Sequence, residues 1–76
     1  MKEFLEFVAR HLVDQPDLVR IETEEKQEGF VLKLQVGPGD VGKIIGKDGR
    51  TAGALRTLLR AVGAKQGKRA LLEIVA

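Results

Sequence analysis

Between Gly37 and Arg50 the chain runs Gly37-Pro38-Gly39-Asp40-Val41-Gly42-Lys43-Ile44-Ile45-Gly46-Lys47-Asp48-Gly49-Arg50, with five glycines interleaved with three cations. Glycine lets a backbone turn sharply and lets a second group approach where a Cβ would otherwise stand. Lysine and arginine supply countercharge, so the chemistry on offer is the holding of phosphate. Three phosphate-binding patterns overlap in this stretch, and each needs different surroundings. Gly37 to Gly42 fits the dinucleotide pattern G-x-G-x-x-G, but that fold needs a parallel sheet with several crossovers. Only thirty-four residues follow Gly42, and the position twenty further on is Val62 rather than an acid that would hold a ribose. Gly37 to Lys43 fits the opening of a nucleotide triphosphatase loop, yet Ile44 stands where a magnesium-binding Ser or Thr is required. The third pattern, Gly46-Lys47-Asp48-Gly49, needs least: a sharp loop feeding the start of a helix. Backbone N–H groups are unpaired there and the helix dipole is positive, which suits anionic oxygens. With Lys43, Lys47 and Arg50 around it, such a loop is a clamp for a sugar-phosphate backbone that reads no base by itself.

Catalysis finds little to work with. The chain has no Cys, Ser or Tyr, three threonines (Thr23, Thr51, Thr57) and a single histidine, His11. No catalytic residue, cofactor site or metal site is therefore assigned; a disulfide framework and a zinc knuckle are excluded by the absence of cysteine. His11 lies on or beside the apolar side of the first helix and is read as a packing or surface residue. The three aromatics, Phe4, Phe7 and Phe30, fall on faces predicted to be buried. That argues against domains that stack bases on exposed rings.

The net charge of +2 conceals a division. Residues 1–39 carry five basic against eight acidic groups, and residues 40–76 carry eight basic against three acidic. One face suited to a polyanion follows from that asymmetry. Seventy-six residues suffice for one domain with a modest core. The start of the sequence does not resemble a signal peptide, and no apolar run is long enough to cross a bilayer, so a cytoplasmic protein with no membrane partner is expected.

Periodicity supplies the elements that must hold the loop. Phe4, Leu5, Phe7, Val8, His11 and Leu12 recur at helical spacing, predicting a helix over 2–13 that ends before Pro16. Val19, Ile21 and Thr23 alternate with charged residues in a strand over 18–25, and Phe30, Leu32, Leu34 and Val36 alternate in a second. The short turn Lys26 to Gly29 makes them an antiparallel hairpin. Asp40 is placed to cap a short helix from Val41 to about Ile45. A longer helix fits Thr51 to about Val62, with Ala52, Leu55, Leu58, Leu59 and Val62 buried and Gly63 closing it in a left-handed conformation. Arg56 and Arg60 form a basic ridge on it that either extends a nucleic-acid track or is solvated. Residues 64–68 read as a basic loop, and Arg69 to Val75 as a last strand with Leu72 and Ile74 inward.

Val41-Gly42-Lys43-Ile44-Ile45-Gly46-Lys47-Asp48-Gly49 resembles the signature of KH domains, whose G-x-x-G loop clamps a few nucleotides of single-stranded RNA or DNA. The order helix, strand, strand, helix, helix, strand resembles the type II arrangement. A stand-alone KH chain of this kind looks most like the bacterial KhpA family. The resemblance covers residues 1–76 as one domain and implies an α+β fold, α-β-β-α-α-β, with a three-stranded sheet covered on one face by three helices. It implies single-stranded RNA as ligand and an RNA-chaperone role in the cytoplasm. It also implies a larger multidomain KH protein of the KhpB or Jag type as partner, with links to cell-wall synthesis and cell shape. The alternative is a dimerisation module, as homodimer or heterodimer, whose partner carries the RNA binding. Carried onto this chain, Gly46, Lys47, Asp48 and Gly49 form the clamp and Lys43 and Arg50 flank it. Ile45, or else Ile44, forms the apolar floor under the bases, since one of the two must face the core. The last strand and the basic loop before it stand as an opposite wall. Two features depart from the pattern. Asp48 puts an anion into the loop and is expected to cap the second helix. Ala52 and Gly53 stand where a bulkier aliphatic residue is usual.

Overall fold

The computed structural model describes residues 1–75. Its elements are α1 (Lys2–Leu12), β1 (Arg20–Lys26), β2 (Gly29–Gln35), α2 (Val41–Ile45), α3 (Arg50–Lys65) and β3 (Arg69–Val75), with single 3₁₀ turns at Pro16–Leu18 and Lys47–Gly49. The fold is α+β in the expected order. β1 and β2 form the antiparallel hairpin, closed where Lys26 pairs with Gly29. β3 lies beside β2 and parallel to it, Leu32 opposite Leu72, so α2, the loop and α3 together make the crossover between parallel strands.

Alternation sets the layers. Ile21, Leu32, Leu34, Ala70 and Leu72 face the helices and are buried against Leu5, Ala9 and Val13 of the first helix region, Ile44 of α2, and Leu55 and Leu59 of α3. The other sheet face carries Glu22, Glu24, Lys33 and Glu73 and meets solvent. No helix among the described residues is long and apolar enough to cross a membrane.

Several expectations are corrected. Phe7 is 63% exposed and Phe4 is also exposed, so two of the three aromatics lie outside the core. At 100° per residue Phe7 leaves α1 about 160° from Leu5, and one small sheet can cover only the Leu5–Ala9 side. His11 is exposed, a surface residue: its ring packs at a tilt on Phe7 with centroids 4.4 Å apart, and its Nδ1 donates to the Phe7 carbonyl at 2.7 Å. Leu58 is 49% exposed for the same reason of helical phase. Thr23 pairs with Leu32 on the helix side of the sheet, as its alternation with Ile21 predicts, yet stays exposed.

α3 does not stop at Gly63. A Cβ there would sit 2.6 Å from the Lys68 carbonyl oxygen and 3.2 Å from the Ala70 Cβ, so the glycine is where helix and strand touch. The left-handed residue is Gly67, φ +69°, in the turn that follows.

Candidate nucleic-acid interface

α2 is a single turn and a half, and its three last side chains divide by direction. Ile44 is fully buried and Ile45 is 40% exposed, so Ile45 is the one available to a ligand. Lys43 and Ile45 are two residues apart and leave the helix about 160° from each other. Lys43 points instead to the end of α1, where its Nζ pairs with the Asp14 carboxylate and lies 3.6 Å from Asp40.

Asp40 anchors that junction. It occupies the position before α2, but its carboxylate does not cap the helix as expected. It is 3% exposed and accepts the N–H groups of Asp14 (3.2 Å) and Gln15 (3.0 Å), fastening α2 to the chain reversal after α1. Burial pushes the Asp40 carboxyl up, but the two N–H groups and the Lys43 ammonium outweigh it and hold the group below the usual carboxylate range. Lys43 is held above the ordinary lysine range, first by its hydrogen bond to Asp14.

The loop itself is a run of unusual backbone. The Gly46 N–H closes α2 onto the Gly42 carbonyl at 2.8 Å, and Gly46 then takes φ +76°, ψ 174°. A Cβ at Gly46 would run into the Thr51 side chain and come within 2.9 Å of the Thr51 nitrogen. Asp48 (φ +57°, ψ 25°) and Gly49 (φ +74°, ψ 12°) are both left-handed, and α3 begins at Arg50. Asp48 does not cap α3: no side chain does, and its carboxylate is exposed. Its suitability lies in the backbone, because a short polar side chain tolerates the left-handed region that a β-branched one resists. The Arg50 N–H is taken by the Lys47 carbonyl, and no side chain caps the N–H groups that follow it.

Lys47 and Arg50 are exposed and form no ion pair among the described residues. Arg56 is seven residues before Gly63 and so leaves α3 about 20° from it, on the side that packs against β3. Arg60 lies on the same flank, about 60° from Gly63. β3 is an edge strand of the sheet. Both side chains are exposed and form no ion pair among the described residues. Ala52 is buried, so the small residue after the loop serves helix packing.

A KhpA/KhpB KH-domain model matches residues 2–74, nearly the whole described chain. The chain belongs to this family. It is 48% identical over 75 residues to a protein of Aquifex aeolicus named RNA-binding protein KhpA, covering 99% of this chain and 95% of the relative. Proteins of the same name from Clostridium acetobutylicum and Chlamydia pneumoniae are 44% and 45% identical over 75 residues, covering 100% and 96% of those chains and 99% of this one. No solved structure matches the chain significantly. In KH terms, Gly46 to Gly49 is the G-x-x-G loop, α2 and α3 are the helices on either side of it, and β3 closes the motif.

Proposed function

We propose that this chain binds single-stranded RNA across the Gly46–Gly49 loop, with phosphates held by the loop and the start of α3. The observation that carries the reading is the uncapped N-terminus of α3, presented by two left-handed residues and flanked by Lys47 and Arg50, neither of them ion-paired among the described residues. Gly46, Lys47, Asp48, Gly49 and Arg50 contact the backbone, and Ile45 offers the apolar floor beside it. Arg56 and Arg60 continue the basic track toward β3. The relatives' name supports RNA over DNA as the ligand. The finer reading is an RNA chaperone of the cytoplasm that acts with a larger KhpB/Jag-type KH protein and bears on cell-wall synthesis and cell shape.

Fluorescence anisotropy with a labelled single-stranded RNA over a range of salt tests this. Three or four phosphate contacts give a slope of log affinity against log salt of roughly −2 to −3. Binding that is absent, or indifferent to salt, favours the interaction-module reading, to which the exposed Phe4, Phe7 and Leu58 lend support. That reading expects a melting temperature that climbs with protein concentration.

Asp48 weakens the clamp it helps to shape. Asp48→Asn keeps a residue tolerant of the left-handed backbone and removes an anion several ångströms from phosphate, a repulsion of about 0.5 kcal/mol in water. RNA binding should tighten roughly two- to threefold, read by the same titration, with the thermal melt unchanged.

A further inference from the structure

Of the cations nearest the clamp, Lys47 and Arg50 meet no carboxylate among the described residues, whereas Lys43 meets two. The two carboxylates have different duties. Asp40 is buried and its oxygens accept the N–H groups of Asp14 and Gln15, so it belongs to the fold. The Asp14 side chain is 76% exposed, and Lys43 is its one polar partner among the described residues. Asp14 is tied to the fold by its own backbone N–H, which needs no charge on its side chain. An exposed carboxylate that does no bracing, yet neutralises a lysine three residues before Gly46, stands where a phosphate oxygen could stand.

Resting on the RNA-binding reading above, we propose that Asp14 sets the RNA affinity of the domain by competing with RNA phosphate for the Lys43 ammonium. With the clamp empty, Lys43 is paired to Asp14. A strand that continues from the loop toward the end of α1 takes the ammonium over. The exchange is feasible because a pair this open to water is weak. The lysine stem is flexible, and a polyanion gains counterion release that a single carboxylate cannot offer. RNA therefore has two exits from the loop: one along Arg56 and Arg60, open at rest, and one past Lys43, closed by an internal anion. Asp14 is a positioning residue for Lys43 and does not itself touch RNA.

The test is a double-mutant cycle on the full chain with a fluorescein-labelled twelve-nucleotide single-stranded RNA, titrated at several salt concentrations. Asp14→Asn should bind roughly two- to fivefold tighter, because Lys43 no longer has to leave a carboxylate before it meets phosphate. In a Lys43→Met background the same Asp14→Asn change should give no gain. Asp14→Ser, a second neutral side chain, must reproduce the gain, so that altered folding of one variant cannot imitate the result. Affinity unchanged or lowered in both Asp14 variants overturns the proposal. So does a gain of equal size without Lys43, which would make Asp14 a general repulsive charge. Wild type and Lys47→Asp run alongside separate the two levels. If wild type itself fails to bind, the RNA-binding reading falls and this one with it. If wild type binds and Lys47→Asp does not, but Asp14→Asn shows no gain, only the competition is lost.

Discussion

Lys47→Asp is expected to weaken binding of single-stranded RNA roughly ten- to fiftyfold near 100 mM salt, while the melting temperature stays where it was. The change turns the loop into Gly-Asp-Asp-Gly and alters the charge beside the phosphates by two units. A lost attraction and a gained repulsion of about 0.7–1.2 kcal/mol each add to that factor. The salt slope should also become shallower by about 0.7, because one phosphate contact is gone. Folding has little reason to respond. Lys47 is exposed, makes no ion pair among the described residues, and precedes a helix whose dipole favours an acid at its start. Anisotropy and a thermal melt on the same preparations check both halves. Equal binding by the two proteins would take RNA away from this loop and leave the interaction-module reading in its place.

Gly46→Ala should have the opposite signature: the fold suffers first, and RNA binding falls with it. The backbone angles at Gly46, φ +76° and ψ 174°, lie in a region that is essentially reserved for glycine, at a strain of about 1–3 kcal/mol for any other residue. A methyl group there also meets the Thr51 side chain and nitrogen, which sit in the first turn of α3 and cannot withdraw without moving the helix. For a domain of this size, 2–3 kcal/mol lowers the melting temperature by on the order of 10–20 °C. Gly49→Asn is the control. Gly49 is also left-handed, at φ +74°, but nothing lies within 4 Å of a Cβ built on it. Asparagine tolerates that region, so this variant should lose on the order of 1 kcal/mol at most. Similar melts for the two variants would mean that the contact between Gly46 and Thr51 does not constrain the loop.

What could be read from the sequence was whatever is encoded locally. The hairpin follows from two alternating runs around a short turn, and α2 from Asp40 and Gly46 at its ends. The position of the loop follows from glycine spacing. The misreadings involve partners far away in the chain. Lys43 is legible as a cation beside the loop but not as a paired one, because its partner, Asp14, is twenty-nine residues earlier and carries no motif. Gly63 was read as a helix stop, since only the presence of Ala70 and Lys68 against it shows that it is a contact point. The choice between Ile44 and Ile45 needed the direction of a five-residue helix, too short for periodicity to fix. Phe4, Phe7 and Leu58 were placed inside because an amphipathic stripe tells which side is apolar, but not how wide a sheet is available to cover it. Asp48 was read by its usual capping habit, whereas its backbone conformation is what the loop uses.

The parallel pairing of β2 with β3 also fixes an order of events on the ribosome. A chain emerging from its N-terminus can close the β1–β2 hairpin early, because those strands are neighbours in sequence. Residues 46–49 follow soon after, complete in composition. Their geometry, however, depends on α3, and α3 is seated by Gly63 against Ala70 and by Leu55 and Leu59 in a core shared with Leu72. Leu32 must wait forty residues for Leu72, a separation that makes strand closure the slow, late step. The proposed grip on nucleic acid therefore depends on Arg69–Val75, the last strand to be made. A chain halted before β3 carries every residue of the proposed clamp but lacks the strand that seats α3.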